Sequence, residues 1–290
     1  MKDKFNELII GSGGLSGISY LGGLEILDTF YPLKNFKYLT GCSAGALICS
    51  LINIGYNVEE MKDIVKNINF VDFFEIKLSN LLSKGGFVDT FNLKNLFKSM
   101  FITKNFDQNI TFLELYNLTN KILTVNSVNQ TLNQIEYFNF ENSPNMSVVD
   151  GIIMSLNIPL ICSPINYNNN IYYDGAILDP YPCNYIKNTK KLGLIVFTEY
   201  LEKYILKENN VYDDTNMFNP NFFLNNVLNT ILMLYNNYLK FFYSKRRMKN
   251  TIYIICNFQS NIEMNKEEKE KLFKIGYNKA NLFIKKKLEN

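Results

Sequence analysis

The chain has 290 residues, of which 47% are hydrophobic and 20% are charged, and its net charge is +3. These values are ordinary for a globular protein and exclude a disordered, collagen-like or disulfide-scaffold chain. Because the charge is close to neutral, composition does not support a nucleic-acid partner, and none is expected.

The absence of histidine is the most informative count. Without imidazole the chain cannot form a Ser-His-Asp triad, a Cys-His dyad or an HExxH zinc site. It also lacks the D-x-D-x-D-G pattern of a calcium loop, so neither a metal nor another cofactor is expected. Any catalysis must use a carboxylate, Lys, Tyr, Cys or the backbone.

The cysteines predict the compartment. They form no C-x-x-C pair and mostly stand among apolar residues, at Cys42, Cys49, Cys162, Cys183 and Cys256. We therefore expect buried thiols of a reducing compartment. The N-terminus has no signal-peptide pattern, and no run of about 18 apolar residues occurs. The sequence predicts a cytoplasmic protein without a transmembrane helix.

Two strand–loop–helix units open the chain. Strands are predicted at 7–10 and 36–40, and each is followed by a glycine-rich loop and an apolar helix, at 17–30 and 46–54. Repetition of this unit is typical of a parallel sheet covered by helices. The fold class expected is α/β.

The remaining elements are less regular. Periodicity predicts helices at 58–68, 92–100, 148–156 and 266–286, and strands at 122–126, 134–138, 171–173, 192–198 and 251–257. Neither an internal repeat nor a Pro/Gly/Ser-rich linker is present. We therefore expect a single domain over 1–290, with a core at 7–187 and C-terminal strands and helices at 188–290 packed on it.

The loop after the second strand reads Gly41-Cys42-Ser43-Ala44-Gly45, which fits the G-x-S-x-G pattern. Between a strand and a helix, this pattern holds a serine at a strained turn with its hydroxyl available. The helix N-terminus beyond it favours a developing oxyanion. The alternative is a serine that only caps the helix.

The loop after the first strand reads GSGGLSG, from Gly11 to Gly17. It fails as a dinucleotide fingerprint because Ser16 takes the place of the third glycine, and it lacks the Gly-Lys-Ser/Thr of a phosphate loop. Unhindered N–H groups at Gly13 and Gly14 would suit an oxyanion hole for an ester attacked by Ser43, if the two strands are neighbours. A tight turn packed on the sheet is the alternative.

A serine nucleophile needs a base, and Asp174 is the strongest candidate. It ends a predicted strand among apolar and aromatic residues, where partial desolvation would raise its pKa. The alternative is that Asp174-Gly175 is only a turn. Asp150 and Asp89 are rivals, but both stand at predicted helix starts and are interpreted as capping residues.

Together these motifs resemble the patatin-like phospholipases, which are lipid acyl hydrolases with a Ser-Asp dyad. The resemblance runs from about residue 7 to 186. It includes Tyr20-Leu21-Gly22-Gly23-Leu24, Ser155-Leu156-Asn157-Ile158-Pro159 and Asp179-Pro180-Tyr181-Pro182.

The resemblance implies a three-layer α/β/α fold with a mostly parallel sheet and phospholipase A-type substrates without calcium. It assigns Ser43 as nucleophile, Asp174 as general base, and Gly13 and Gly14 as oxyanion donors. The motif glycines would be Gly11, Gly17, Gly41, Gly45 and Gly175.

Two residues depart from the usual G-G-G-x-[K/R]-G loop of that family. Ser12 replaces the first glycine and Ser16 replaces the basic residue. The second change weakens the expectation of phospholipid headgroup contact more than that of hydrolysis. Two alternatives therefore stay open: a catalytically weak or inactive lipid-binding protein on the same fold, and a serine hydrolase of soluble acyl esters or thioesters.

One further segment has the pattern of a membrane-binding helix. Residues 222–242 resemble an apolar helix, and a basic cluster follows at Lys245, Arg246, Arg247 and Lys249. Such a combination is typical of peripheral contact with an anionic membrane, which we expect over Phe222 to Lys249. A core helix followed by a charged turn is the alternative. No feature of the sequence predicts an oligomeric state.

Overall fold

The computed structural model describes residues 4–73, 77–199, 250–257 and 263–289. Within these ranges the strands are β1 (Glu7–Ile10), β2 (Tyr38–Gly41), β3 (Ile122–Asn129), β4 (Gln134–Phe138), β5 (Ile165–Tyr167), β6 (Asn170–Asp174), β7 (Lys191–Glu199) and β8 (Thr251–Asn257). The α-helices are α1 (Ile18–Phe30), α2 (Ala44–Asn53), α3 (Val58–Asn67), α4 (Leu78–Lys84), α5 (Phe91–Thr103), α6 (Phe112–Thr119), α7 (Val148–Ser155) and α8 (Lys266–Glu289).

The strands form a central sheet in the order β5-β6-β3-β2-β1-β7-β8, and β4 also pairs with β3. The five strands from β3 to β8 along this order are parallel, whereas β4, β5 and β6 pair antiparallel. Helices lie on both sides of the sheet. The predicted three-layer α/β/α fold is therefore confirmed.

The hydrophobic pattern of the central strands explains their place. Leu8, Ile9 and Ile10 of β1 are all fully buried, as a strand covered on both faces requires. Leu8 and Ile10 belong to the main core, whereas Ile9 packs with Tyr181 in a small second cluster. A short uninterrupted apolar run therefore marks the middle of the sheet.

The structure adds three elements that the sequence analysis missed, α4, α6 and β5. Strand β5 has only three residues and pairs with β6 through a turn at Asn168 and Asn169, whose φ angles are +48° and +62°. Two consecutive left-handed residues make the hairpin turn that asparagine tolerates. A three-residue strand is too short for its periodicity to be recognised.

The register of β3 brings the end of β6 to the end of β2. Val125 of β3 pairs with Gly41 of β2, and Ser127 pairs with Asp174 of β6. Both β3 residues also pair with β4, so β4 occupies one edge of β3 and leaves the other edge to β2 and β6. Because β6 runs antiparallel to β3, its last residue, Asp174, faces the carboxyl end of β2.

Other predictions have mixed outcomes. The five cysteines are buried and free of disulfides, as predicted. None of the helices in the described ranges has the length and apolar character needed to cross a bilayer. The segment Phe222 to Lys249 lies outside the described residues, so its membrane contact stays a prediction, as does the single-domain assignment.

Candidate active site

Ser43 lies at the turn between β2 and α2, with φ +54° and ψ −123°. A non-glycine residue at positive φ costs on the order of 1 kcal/mol or more, and such strain concentrates at functional sites. The Ser43 side chain occupies the N-cap position of α2 but makes no capping hydrogen bond. The interpretation of Ser43 as a helix cap is therefore wrong.

Glycines on both sides of Ser43 permit the close approach of the two loops. A Cβ atom at Gly45 would lie 2.1 Å from the carbonyl oxygen of Ile10, at the end of β1. A Cβ atom at Gly41 would lie 2.4 Å from the Gly45 carbonyl oxygen. Larger residues would push α2 away from the sheet, so the two glycines allow the Ser43 turn to lie against β1.

Asp174 contacts the Ser43 hydroxyl directly. The hydroxyl donates to Asp174 Oδ2 at 2.7 Å, and the Ala176 N–H donates to Oδ1 at 2.8 Å. Asp174 is 5% exposed, and burial raises the pKa of its carboxyl to about 7, against the opposing effect of these two hydrogen bonds. Near neutral pH, Asp174 can therefore both accept and return a proton.

Backbone contacts fix Asp174 at the end of β6. Its N–H donates to the Asn157 carbonyl oxygen at 2.8 Å, and the Asn157 side chain donates to the Tyr172 carbonyl oxygen at 2.9 Å. On the other side, the Ser127 hydroxyl donates to the Tyr173 carbonyl oxygen at 2.6 Å. The backbone at the end of β6 is thus held by the segment after α7 and by β3.

The two rival carboxylates have other partners. Asp150 forms an ion pair with Lys94 at 2.5 Å, and the Ser147 side chain makes no capping bond. The capping interpretation of Asp150 is therefore wrong, because the residue joins α7 to α5. Asp89 accepts from the Phe91 N–H at 2.9 Å, as predicted for a helix start, and pairs with Lys84.

The glycine loop lies beside Ser43 because β1 and β2 are parallel neighbours. A Cβ atom at Gly17 would lie 2.8 Å from the Ala44 Cβ atom. Gly14 is exposed and has φ +49°, a conformation that favours glycine. The N–H groups of Gly13 and Gly14 donate to no other residue of the described ranges. Both amides are therefore available to a ligand.

The segment after Asp174 joins the end of β6 to this loop. The Pro180 carbonyl oxygen accepts from the Ser12 N–H at 2.8 Å, and a Cβ atom at Gly11 would lie 3.1 Å from the same oxygen. At the other end, a Cβ atom at Gly175 would lie 2.6 Å from the Asn126 carbonyl oxygen. Residues 175–180 therefore pass from the Asp174 position to the glycine loop along a closely packed path.

The sequence analysis missed the role of Ser155. Its buried hydroxyl oxygen accepts from the Ser43 N–H at 2.8 Å, which satisfies an amide of the strained turn. Ser155 stands in the stretch before Pro159 on which the resemblance rests, but it is 112 residues from Ser43. No local spacing could have assigned this contact.

Solved structures share the fold. VipD from Legionella pneumophila superimposes with a TM-score of 0.64 at 16% identity, covering 98% of this chain and 67% of VipD. ExoU from Pseudomonas aeruginosa, solved with SpcU, gives a TM-score of 0.52 at 14% identity, covering 99% of this chain and 53% of that chain. The chain thus spans about half of ExoU.

Two sequence relatives are viral proteins, and a family model covers both glycine loops and Asp174. The chain is 30% identical to "Probable lipid hydrolase 463L" of Invertebrate iridescent virus 6, over 68% of this chain and 70% of that protein. It is 25% identical to "Uncharacterized protein R571" of Acanthamoeba polyphaga mimivirus, over 73% and 74%. The model described as "Patatin-like phospholipase" matches residues 8–186. Since this match spans more than half of the sequence, the chain belongs to the patatin-like phospholipase family.

Proposed function

We propose that the protein is a phospholipase A-type lipid acyl hydrolase, a carboxylic ester hydrolase that uses a Ser43–Asp174 dyad. The observation that carries the proposal is the 2.7 Å hydrogen bond from the Ser43 hydroxyl, at a turn with strained backbone, to the buried Asp174 carboxylate. Membership of the family and the relative described as a probable lipid hydrolase support a lipid substrate.

The first half of the reaction forms an acyl-enzyme. Asp174 accepts the proton of Ser43 as the Oγ atom attacks the ester carbonyl carbon. The Gly13 and Gly14 N–H groups donate to the resulting oxyanion, and the N-terminus of α2 adds a partial positive charge. When the intermediate collapses, the ester C–O bond breaks, and Asp174 returns its proton to the leaving alkoxide.

The second half releases the fatty acid. A water molecule attacks the acyl-enzyme carbonyl carbon and gives a proton to Asp174, and the same two amides hold the second oxyanion. Collapse breaks the bond to Ser43 Oγ, which regains the proton from Asp174. These steps need no metal ion or other cofactor, so hydrolysis should survive chelation with EDTA.

A reactive probe tests the dyad. Wild type, Ser43→Ala and Asp174→Asn are treated with a fluorophosphonate, and fatty-acid release from mixed phospholipid vesicles is measured in parallel. Labelling and release by wild type, with both lost in the two variants, are expected. A folded wild-type protein that neither labels nor releases fatty acid contradicts the proposal.

The pH profile tests the role of Asp174 independently. Because its pKa is raised to about 7 by burial, the base is protonated below that pH and ionised above it. We expect kcat/KM to fall about tenfold per pH unit below pH 7 and to level off above it. A profile that stays flat across this range would assign proton transfer to another group.

A further inference from the structure

The path from Asp174 to the glycine loop carries two exposed apolar side chains. Ile177 is 45% exposed and Leu178 is 42% exposed. They lie midway along the segment whose ends contact the dyad and Ser12. Ser43 itself is only 3% exposed. The segment that carries these side chains thus borders both the dyad and the glycine loop, so the mouth through which an ester reaches Ser43 is expected beside it.

A third exposed apolar side chain, Leu160, has an unusual backbone. Its φ is +67° and it is 51% exposed. The other non-glycine residues with positive φ in the described ranges are all asparagine except Ser43. Asparagine adopts this left-handed conformation with less strain than leucine does. Since the nucleophile is the one comparable case, the strain at Leu160 suggests a functional side chain.

Leu160 lies close to the same site along the chain. It follows by three residues Asn157, whose carbonyl oxygen accepts from the Asp174 N–H. Its own carbonyl oxygen accepts from the Phe87 N–H at 3.3 Å, and the neighbouring Ile161 packs with Phe87 in a small buried cluster. The backbone at Leu160 is therefore held by neighbouring contacts, while its side chain is exposed.

The two segments that carry these side chains are themselves uncharged, although Asp174 and Asp179 flank the second segment. Residues 157–164 and 175–178 contain no Asp, Glu, Lys or Arg. Exposed apolar groups on uncharged segments transfer readily from water into the headgroup–acyl boundary of a bilayer. A protein bound at this place would block entry to Ser43, whereas a lipid surface would supply the substrate.

We propose that Leu160, Ile177 and Leu178 form a lipid-docking rim that inserts into the surface of a phospholipid bilayer. This inference rests on the proposed function, since the lipid surface is the source of the ester. The rim places the mouth of the site at the membrane, so a lipid ester reaches Ser43 without crossing water.

Binding is measured without turnover in the Ser43→Ala background. Co-sedimentation with phosphatidylcholine–phosphatidylglycerol vesicles is compared for that protein and for versions that also carry Leu160→Asn or the pair Ile177→Ser and Leu178→Ser. We expect the pair to weaken vesicle binding about tenfold and Leu160→Asn about threefold. The matched control is Leu118→Ser, because Leu118 is 70% exposed on α6, which leads into the opposite end of β3.

Kinetic measurements on the same rim variants with Ser43 intact separate membrane docking from the chemical step. The ratio of hydrolysis rates on vesicles and on a water-soluble short-chain ester should fall about tenfold for the pair and stay unchanged for Leu118→Ser. Leu160→Asn should leave thermal unfolding unchanged or raise its midpoint, since asparagine tolerates positive φ. A lower vesicle rate in this variant is then not a folding defect.

Two results would overturn the rim. One is vesicle binding by the rim variants equal to that of Leu118→Ser. The other is self-association of the wild-type protein that the rim variants abolish while vesicle binding persists, which would assign these side chains to a second copy. Failure of wild type to label with the fluorophosphonate would instead contradict the proposed function, because the binding assay uses an inactive protein.

Discussion

Two buried carboxylates, Glu7 and Asp174, share burial, a raised pKa and hydroxyl donors, but the groups around those hydroxyls differ. Glu7 begins β1, and Asp174 ends β6 beside the carboxyl end of β2. Burial raises the pKa of both side chains. Each also accepts hydrogen bonds from hydroxyl groups, Glu7 from Thr40 and Thr189, and Asp174 from Ser43.

The difference lies in what surrounds each hydroxyl. Thr40 belongs to regular strand β2, and Lys191 lies 3.8 Å from Glu7 as a counter-charge. Ser43 stands at a strained turn beside the available amides of the glycine loop, and Asp174 has no ion-pair partner among the described residues. Burial and a raised pKa therefore do not by themselves identify a catalytic carboxylate. The strained turn that carries the Ser43 hydroxyl and the loops at the carboxyl ends of parallel strands are what favour Asp174 as the catalytic carboxylate in the function that we propose.

The largest expected effect comes from neutralising Asp174, with neutralisation of Glu7 as the matched control. Asp174→Asn should lower kcat by about 10³-fold or more, because the general base is removed. Glu7→Gln should leave kcat within about threefold and cost on the order of 1 kcal/mol of unfolding free energy. Vesicle hydrolysis and chemical denaturation measure the two quantities. Equal losses of activity in the two variants would contradict the assignment of a catalytic role to Asp174 and a structural role to Glu7.

The second prediction concerns the Ser155 hydroxyl. Ser155→Ala leaves the Ser43 N–H without a partner in a buried site, so the strained turn loses a support. We expect kcat to fall about tenfold to a hundredfold with KM little changed, as for a residue that positions the nucleophile.

Ser50→Ala is the matched control for Ser155→Ala. Its hydroxyl is also fully buried but donates to the Ala46 carbonyl oxygen within α2. This variant should lose a similar amount of stability and retain kcat. If both variants lower kcat alike, Ser155 acts only through stability.

The smallest expected effect separates strain from chemistry at two glycines. Gly14 and Gly55 have φ +49° and +92°, and a Cβ atom at either would meet nothing within 4 Å. Alanine should therefore cost each position about 1 kcal/mol in unfolding free energy. Only Gly14→Ala should also lower kcat, by about tenfold, because it displaces an oxyanion donor. Equal kcat values would place the oxyanion hole elsewhere.

The local elements of the site were predictable. The apolar run before Gly11, the strand before Gly41 and the helix after Ser43 all form as predicted, since each is encoded by neighbouring residues.

The interpretation of Asp150 as a capping residue was wrong because the Ser147–Asp150 spacing takes account only of residues within the same helix. In the fold, Lys94 on α5 offers Asp150 a charged partner, and the ion pair forms instead.

By itself, the sequence determined that imidazole plays no part, that a serine stands at a strand–helix turn, and that a glycine loop follows the first strand. Only the tertiary structure decided that Asp174 meets Ser43 across 131 residues and that Ser155 accepts from the Ser43 amide. The physical reason is that local propensity and periodicity act over a few residues. The meeting of β6 with the end of β2 depends on the register of β3, which side-chain packing across the whole sheet selects.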